Sequence, residues 1–206
     1  MEVCLIVAVD EKNAIGKDNR LLCRLSGDMK NFKELTTGYP VIMGRKTFDS
    51  LPKGALPNRV NIVLTRDEEK IFENAISCNS VEEVMNLRVI KNCEKCFVIG
   101  GQEIYKHFFD IADKIYLTSI RHTFEDADAF FPEIDIDYWR INSVSDEFKA
   151  DEKNEYPYFL PFMKDFRKKG KKKINKKIFH CYFFLLPLHP IIKEKINNSK
   201  DHVFRR

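Results

Sequence analysis

Two segments carry the residues best suited to holding a phosphate. Val41-Ile42-Met43-Gly44-Arg45-Lys46-Thr47-Phe48 runs from an apolar stretch through a glycine into two cations and a hydroxyl. Val98-Ile99-Gly100-Gly101-Gln102-Glu103-Ile104-Tyr105 ends a second apolar stretch on a glycine pair. Glycine lets a backbone come close to a ligand, and a helix that follows aims unpaired N–H groups at an anion. A third stretch, Leu64-Thr65-Arg66, ends on a hydroxyl and a guanidinium, which suits the 2′-phosphate of NADP better than the bare ribose of NAD. Neither glycine segment is GxGxxG, so the standard dinucleotide fingerprint is absent. Each alone also has an ordinary reading, because glycines mark turns and arginines populate surfaces.

One carboxylate stands apart from the acidic background. Asp28 lies near the start of a predicted helix over Ser26–Thr36, which places Met29, Phe32, Lys33 and Leu35 at helical spacing. An acidic residue in a first turn is usually a helix cap. The functional reading is a lone carboxylate in an apolar pocket, with a raised pKa that favours protonation of a nitrogen beside a hydride acceptor. No histidine or cysteine set forms a metal or triad constellation. Of Cys4, Cys23, Cys78, Cys93, Cys96 and Cys181, only Cys93 and Cys96 make a CxxC pair, and no second pair follows at zinc-ribbon spacing. Reduced, unligated thiols are expected.

Those groups need a scaffold, and the apolar pattern supplies it. Continuous runs at Val3–Val9, Val41–Met43, Val60–Leu64, Cys96–Ile99 and Ile115–Leu117 read as strands buried on both faces. Helical segments lie between them, including Ser80–Leu87 with a serine at the N-cap, so the class is α/β with a mostly parallel sheet. From Trp139 to Phe148 the pattern alternates, and the turn Asn154-Glu155-Tyr156-Pro157 predicts an antiparallel hairpin closing one edge.

The 206 residues are 44% hydrophobic and 32% charged, which points to an ordinary globule and against wholesale disorder. The net charge of +4 hides a split. Residues 1–159 hold 21 Lys+Arg against 28 Asp+Glu, or −7, and residues 160–206 hold 14 against 3, or +11. A domain over 1–163 followed by a poorly ordered basic and apolar tail over 164–206 is expected. Such a tail is a solvated arm in most proteins, and contacts nucleic acid or anionic lipid in some. Its apolar stretch Ile178–Ile192 is 15 residues long and broken by Pro187 and Pro190, against the roughly 20 apolar residues that a membrane span needs. The N-terminus has no basic region before its short apolar run, so it reads as a strand rather than a signal peptide, and a cytoplasmic location is expected.

Six segments, in order from the N-terminus to about Tyr158, resemble dihydrofolate reductase: LIVAVDEKNAIGKDNRLL, GDMKNFKELT, PVIMGRKTFDSL, LPNRVNIVLTR, FVIGGQEIY with KIYLT, and EDADAFFPEI. PVIMGRKTF and VIGGQEIY at this spacing are highly specific. The resemblance implies a central mixed, mostly parallel sheet flanked by helices, and NADPH-dependent reduction of 7,8-dihydrofolate by hydride transfer to pterin C6 with protonation at N5. It makes Asp28 the ionisable group that bonds the 2-amino group and N3 of the pterin, joined by Thr118. Val7 and Ala8 would offer backbone groups, while Met29, Phe32, Ser50, Leu51, Leu56 and Ile99 would wall the pocket. Arg59 would grip the α-carboxylate of the glutamate tail in a bidentate fork. For NADPH, the resemblance implies Gly44, Arg45, Lys46, Thr47, Leu64, Thr65 and Arg66 around the adenosine phosphates, and Gly100, Gly101, Gln102, Glu103 and Ile104 around the diphosphate. Ala8, Ile15 and Gly16 would meet the nicotinamide, Ala14–Gly16 lying in a mobile loop that Asp128 steadies. A monomer is expected.

Two places depart from the pattern. Where the family reads L-x-W-x-L-P-x-D-L, Cys23 replaces the tryptophan and Ser26 the proline, which removes an N–H donor and apolar area beside the pterin. After Tyr158, Pro161 interrupts the last strand, a place where proline is tolerated at edges or bulges. The rival reading is a non-catalytic descendant that binds NADPH or folate and uses its basic tail to hold nucleic acid. Cys23 and the tail favour it; Asp28, Arg59 and the two glycine segments oppose it.

Overall fold

In the computed structural model, residues 1–135 and 138–166 are described. The chain runs β1 (Glu2–Val9), β2 (Ala14–Gly16), α1 (Ser26–Thr36), β3 (Val41–Gly44), α2 (Arg45–Asp49), β4 (Asn61–Leu64), β5 (Ala75–Cys78), α3 (Val81–Asn86) and α4 (Arg88–Lys91). It continues with β6 (Lys95–Val98), α5 (Gln102–Phe109), β7 (Lys114–Ile120), β8 (Ala129–Phe130), β9 (Trp139–Val144), β10 (Tyr158–Phe159) and β11 (Pro161–Asp165).

The large sheet has the order β5-β4-β3-β6-β1-β7-β11-β9, and β10 adds to β7. Strands β5 to β7 are mutually parallel, and β11 and β9 close the other side antiparallel. The apolar runs become central strands because consecutive residues serve opposite cores. In β1, Val3, Leu5, Val7 and Val9 enter the core beneath α5, and Cys4 and Ile6 enter the core beneath α1. The same alternation splits Ile42 from Val41 and Met43, and Cys96 and Val98 from Phe97. Each such side chain, fully buried, contributes roughly 1.5–3 kcal/mol, and the double-sided burial fixes the register.

The predicted helix over Ser26–Thr36 forms with those bounds. Its N-terminus is closed from a distance: the Ser26 N–H donates to Lys153 O at 3.1 Å and the Gly27 N–H to Asn154 Oδ1 at 3.1 Å. Ser80 caps α3 as expected, its Oγ accepting from the Glu83 N–H at 3.1 Å.

The C-terminal strand meets the expectation at Pro161 and differs from it in where it ends. Pro161 opens β11 just after the break at Leu160, and the register shifts between Phe162 and Met163, so the strand accommodates proline at its first residue beside an irregularity although β11 is paired on both sides. The boundary expected after residue 163 falls inside β11, which continues to Asp165 and is followed by a bond from the Phe166 N–H to Tyr138 O at 2.8 Å. The expected tail disorder concerns residues 167–206, which lie outside the described ones. Among the described residues no helix is long and apolar enough to cross a membrane.

Candidate active site

Parallel strands and their following helices bring β1, β3, β6 and β7 to one rim of the sheet, the usual place for a ligand in an open α/β fold. On that rim, the first turn of α1 carries Asp28, which is 9% exposed. Thr118 on β7, 3% exposed, donates its hydroxyl to Asp28 Oδ1 at 2.5 Å. Burial raises the Asp28 pKa, and the bond from Thr118 opposes that rise. Asp28 is therefore not a helix cap; it is a desolvated carboxyl held at the edge of a cavity.

The cavity, about 180 Å³, is lined by Ala8, Ile15, Leu22, Cys23, Leu25 and Met29, with Arg24, Leu21 and Ile120 at its margins and Asp28 as its one carboxylate. Ala8 and Thr118 are register partners on β1 and β7, which is why the Asp28 partner, 110 positions from Ala8, stands beside this wall. Cys23 is half-buried, and desolvation pushes its thiol up to about 12, so it stays protonated and behaves as a small apolar group.

The other expected substrate residues fall into a second group. Phe32, Leu51, Leu56 and Ile99 pack on the core beneath α1, next to Phe48 and Met43. The Arg59 guanidinium carbon lies 5.9 Å from the Phe32 ring centroid, and its Nη1 donates to Thr36 Oγ1 at 2.8 Å. Partial burial lowers its pKa from a very high ordinary value, so it stays cationic. Ser50 is exposed at the end of α2 and spends its hydroxyl on Thr47 O at 2.7 Å. The Val7 side chain faces the core beneath α5, which leaves only its backbone for a ligand.

The two glycine segments meet. The Gly44 N–H donates to Gly100 O at 2.8 Å, and the Gly100–Gly101 peptide is cis. A Cβ on Gly44 would lie 2.9 Å from Ile104 Cγ1, and one on Gly101 would lie 3.4 Å from Thr47 Oγ1. Gly100 has φ +105°, a conformation that favours glycine, and its Cβ would lie 2.9 Å from the Tyr105 ring. Neither α2, capped at Gly44, nor α5, capped at Gly101, has a side-chain cap, so first-turn N–H groups face the cradle. Arg45 and Lys46 are exposed on one side, and Thr65 and the exposed Arg66 follow β4. This donor set and the side-chain-free cradle fit a dinucleotide phosphate. Arg45 also sits 3.7 Å from Asp49.

Two groups do work that the sequence did not signal. Gln102 Oε1 accepts from the Phe130 N–H at 2.6 Å, which ties the start of α5 to β8. Strand β8 pairs with β2, so the Ala14–Gly16 segment is fastened to the phosphate cradle, and the Asp128 carboxylate accepts from the Asp18 N–H at 3.0 Å. Tyr105, buried, donates its hydroxyl to Ile6 O at 2.7 Å and holds β1 against α5. Ile120 was detectable in principle, since it shares a strand face with Thr118.

A family model described as dihydrofolate reductase matches residues 2–164. The chain belongs to the dihydrofolate reductase family. It is 42% identical over 163 residues to the dihydrofolate reductase of Bacillus subtilis (strain 168), covering 79% of this chain and 94% of that protein. It is 43% identical over 159 residues to that of Haemophilus influenzae, covering 76% and 94%. Among solved structures, the dihydrofolate reductase from Enterococcus faecalis, complexed with NADP(H) and RAB-propyl, matches with TM-score 0.74 and 34% identity over 80% of this chain and 96% of that one. The fold is the central mixed, mostly parallel sheet flanked by helices that was expected from the sequence.

Proposed function

We propose that Asp28, supported by Thr118, is the carboxylate through which this chain performs the reaction of its family, the NADPH-dependent reduction of 7,8-dihydrofolate to 5,6,7,8-tetrahydrofolate. The observation that carries the assignment is the buried Asp28–Thr118 pair at the edge of an otherwise mainly apolar cavity. Burial raises its pKa against the bond from Thr118, and in this reading the carboxyl binds the 2-amino and N3 edge of the pterin and favours protonation at N5. Ala8, Ile15 and Met29 exclude water from the reacting face, and Val7 presents its backbone. Phe32, Leu51, Leu56 and Ile99 carry the aminobenzoyl portion outward to Arg59, which pairs with the glutamate carboxylate, and Ser50 flanks that path.

NADPH, when bound, supplies the hydride that reaches pterin C6. Gly44, Arg45, Lys46, Thr47, Leu64, Thr65 and Arg66 hold its adenosine phosphates, and Gly100, Gly101, Glu103 and Ile104 hold the diphosphate with backbone N–H groups. Gln102 serves through its backbone, because its side chain is bonded to Phe130. Ile15 and Gly16, positioned by β8, close over the nicotinamide. The free thiols of Cys4, Cys23, Cys78, Cys93 and Cys96 are in keeping with a cytoplasmic home.

The test is loss of NADPH absorbance with 7,8-dihydrofolate, comparing the parent with Asp28→Asn. The variant should lose roughly 10²–10⁴-fold in turnover while still binding NADPH. Parent-like turnover in Asp28→Asn would sink the assignment.

A further inference from the structure

At the far end of β7 from Thr118, the sheet face on the α1 side carries a row of half-buried cations. Lys114 on β7 is the register partner of Lys164 on β11, which is the partner of Arg140 on β9. Cross-strand partners point to one face, so three positive side chains stand side by side on this one. Their neighbours Ile115, Met163, Trp139 and Ile141 point the other way, into the core beneath α5. Like charges directly opposite one another cost stability. Glu2 relieves Lys114 by an ion pair, but among the described residues neither Lys164 nor Arg140 has a carboxylate partner.

Aromatic rings prop the row up. Tyr116 and Phe162, the next register pair along, are stacked with centroids 4.8 Å apart. Lys164 Nζ lies 5.3 Å and Lys114 Nζ 5.9 Å from the Phe162 centroid, and the Arg140 guanidinium carbon lies 3.7 Å from that of Phe166. The rings pack against the three cations, which are all half-buried. The chain then leaves β11 through Phe166 into residues 167–206, which contain 13 Lys+Arg against 2 Asp+Glu. That segment is of the same sign as the row, so it cannot neutralise it; both call for the same extended polyanion.

We propose that this face binds single-stranded nucleic acid, the row Lys114, Lys164 and Arg140 holding phosphates and the flanking rings Tyr116, Phe162 and Phe166 meeting bases. Cations interleaved with aromatics on a flat sheet are what a strand with phosphates and stackable bases can use in full. An anionic membrane would satisfy only the charges, and this surface is not the amphipathic helix that lies in an interface.

The test is fluorescence anisotropy of labelled oligouridylate with the full chain across a salt series. Beside the parent stand a face variant, Arg140→Glu with Lys164→Glu, a tail variant with Lys168, Lys169, Lys171, Lys172 and Lys173 changed to serine, and vesicles containing phosphatidylserine. The face variant should weaken binding at least about tenfold and flatten the slope of log affinity on log salt by roughly 1.4, the share of two phosphates on a single strand. Arg140→Gln with Lys164→Gln should fall between, and reductase turnover in all variants should match the parent, which shows that the fold is intact. Three results would overturn the proposal: no binding by the parent, binding lost in the tail variant but unchanged in the face variant, or face-dependent binding to vesicles and none to oligouridylate.

Discussion

The pterin cavity and the dinucleotide cradle share one rim of the sheet but are built by different physics. The cradle consists of local backbone turns, Gly44 into α2 and Gly100-Gly101 into α5, brought together by the pairing of β3 with β6 and by a bond from the Gly44 N–H to Gly100 O. Its function is a shape from which side chains are missing. The cavity gathers side chains from β1, the segment after β2, α1 and β7 around one desolvated carboxyl, and its function is an electrostatic state. A change in the first should therefore be felt as stability and cofactor affinity, and a change in the second as rate and pH dependence.

The largest contrast is between Asp28→Asn and Gly100→Ala. The first should remove nearly all turnover and spare folding, as measured by hydride transfer beside NADPH titration. Gly100→Ala forces an L side chain into φ +105° and against the Tyr105 ring, so it should lower Tm by about 5 °C or more and weaken NADPH binding before it touches chemistry. A stable Gly100→Ala protein with normal NADPH affinity and poor turnover would collapse the distinction.

Thr118→Val sharpens the electrostatic half. The Thr118 hydroxyl opposes the raised pKa of Asp28, so losing it raises that pKa further. Turnover, which needs a proton for N5, should decline as pH rises, and the declining limb should move to higher pH in the variant, with kcat about tenfold lower. A limb that stays in place or moves down would mean that another group controls it.

Cys23→Trp should act more gently. The thiol leaves space in the cavity that an indole would fill, so KM for dihydrofolate should fall by roughly fivefold and turnover should rise. Unchanged steady-state constants would show that the neighbouring Leu22 and Met29 already position the substrate.

The smallest effect concerns stability. Because Asp28 has a folded pKa above its ordinary value of 3.8, its contribution is most favourable below that pH and is lost as pH rises through the folded pKa. Asp28→Asn should thus melt a few degrees above the ligand-free parent at neutral pH, and the gap should close in acid. A variant that melts lower at neutral pH would indicate that the carboxylate is net stabilising despite its burial.

The cradle was nearly all legible in the chain, since glycine next to apolar runs and basic or hydroxyl residues is a local pattern whose geometry follows within eight residues. The cavity was legible only in part. Asp28 and Met29 could be chosen as a helix face, and Ile120 as a neighbour of Thr118 on one strand face, but Leu21, Leu22, Arg24 and Leu25 join them through chain reversal, which leaves no short-range mark. The capping of α1 by Lys153 and Asn154 was equally hidden, because the donors and acceptors are more than 120 positions apart. The gap at Pro161 was anticipated, and the continuation of β11 to Asp165 was not, since pairing on both sides with β7 and β9 outweighs the polar character of Lys164 and Asp165.

By itself, then, the sequence determined the α/β class, the strands buried on both faces and the two glycine turns, all of which are set by residue type and short-range spacing; Asp28 was singled out by the resemblance. Only the tertiary structure decided that Gln102 is spent on β8 and that Lys114, Lys164 and Arg140 stand in one row, and it set the Thr118 hydroxyl, which the resemblance had implied, directly on Asp28. Each of these depends on the register of strands distant in sequence, and register is selected by burial of the whole sheet, not by any one segment.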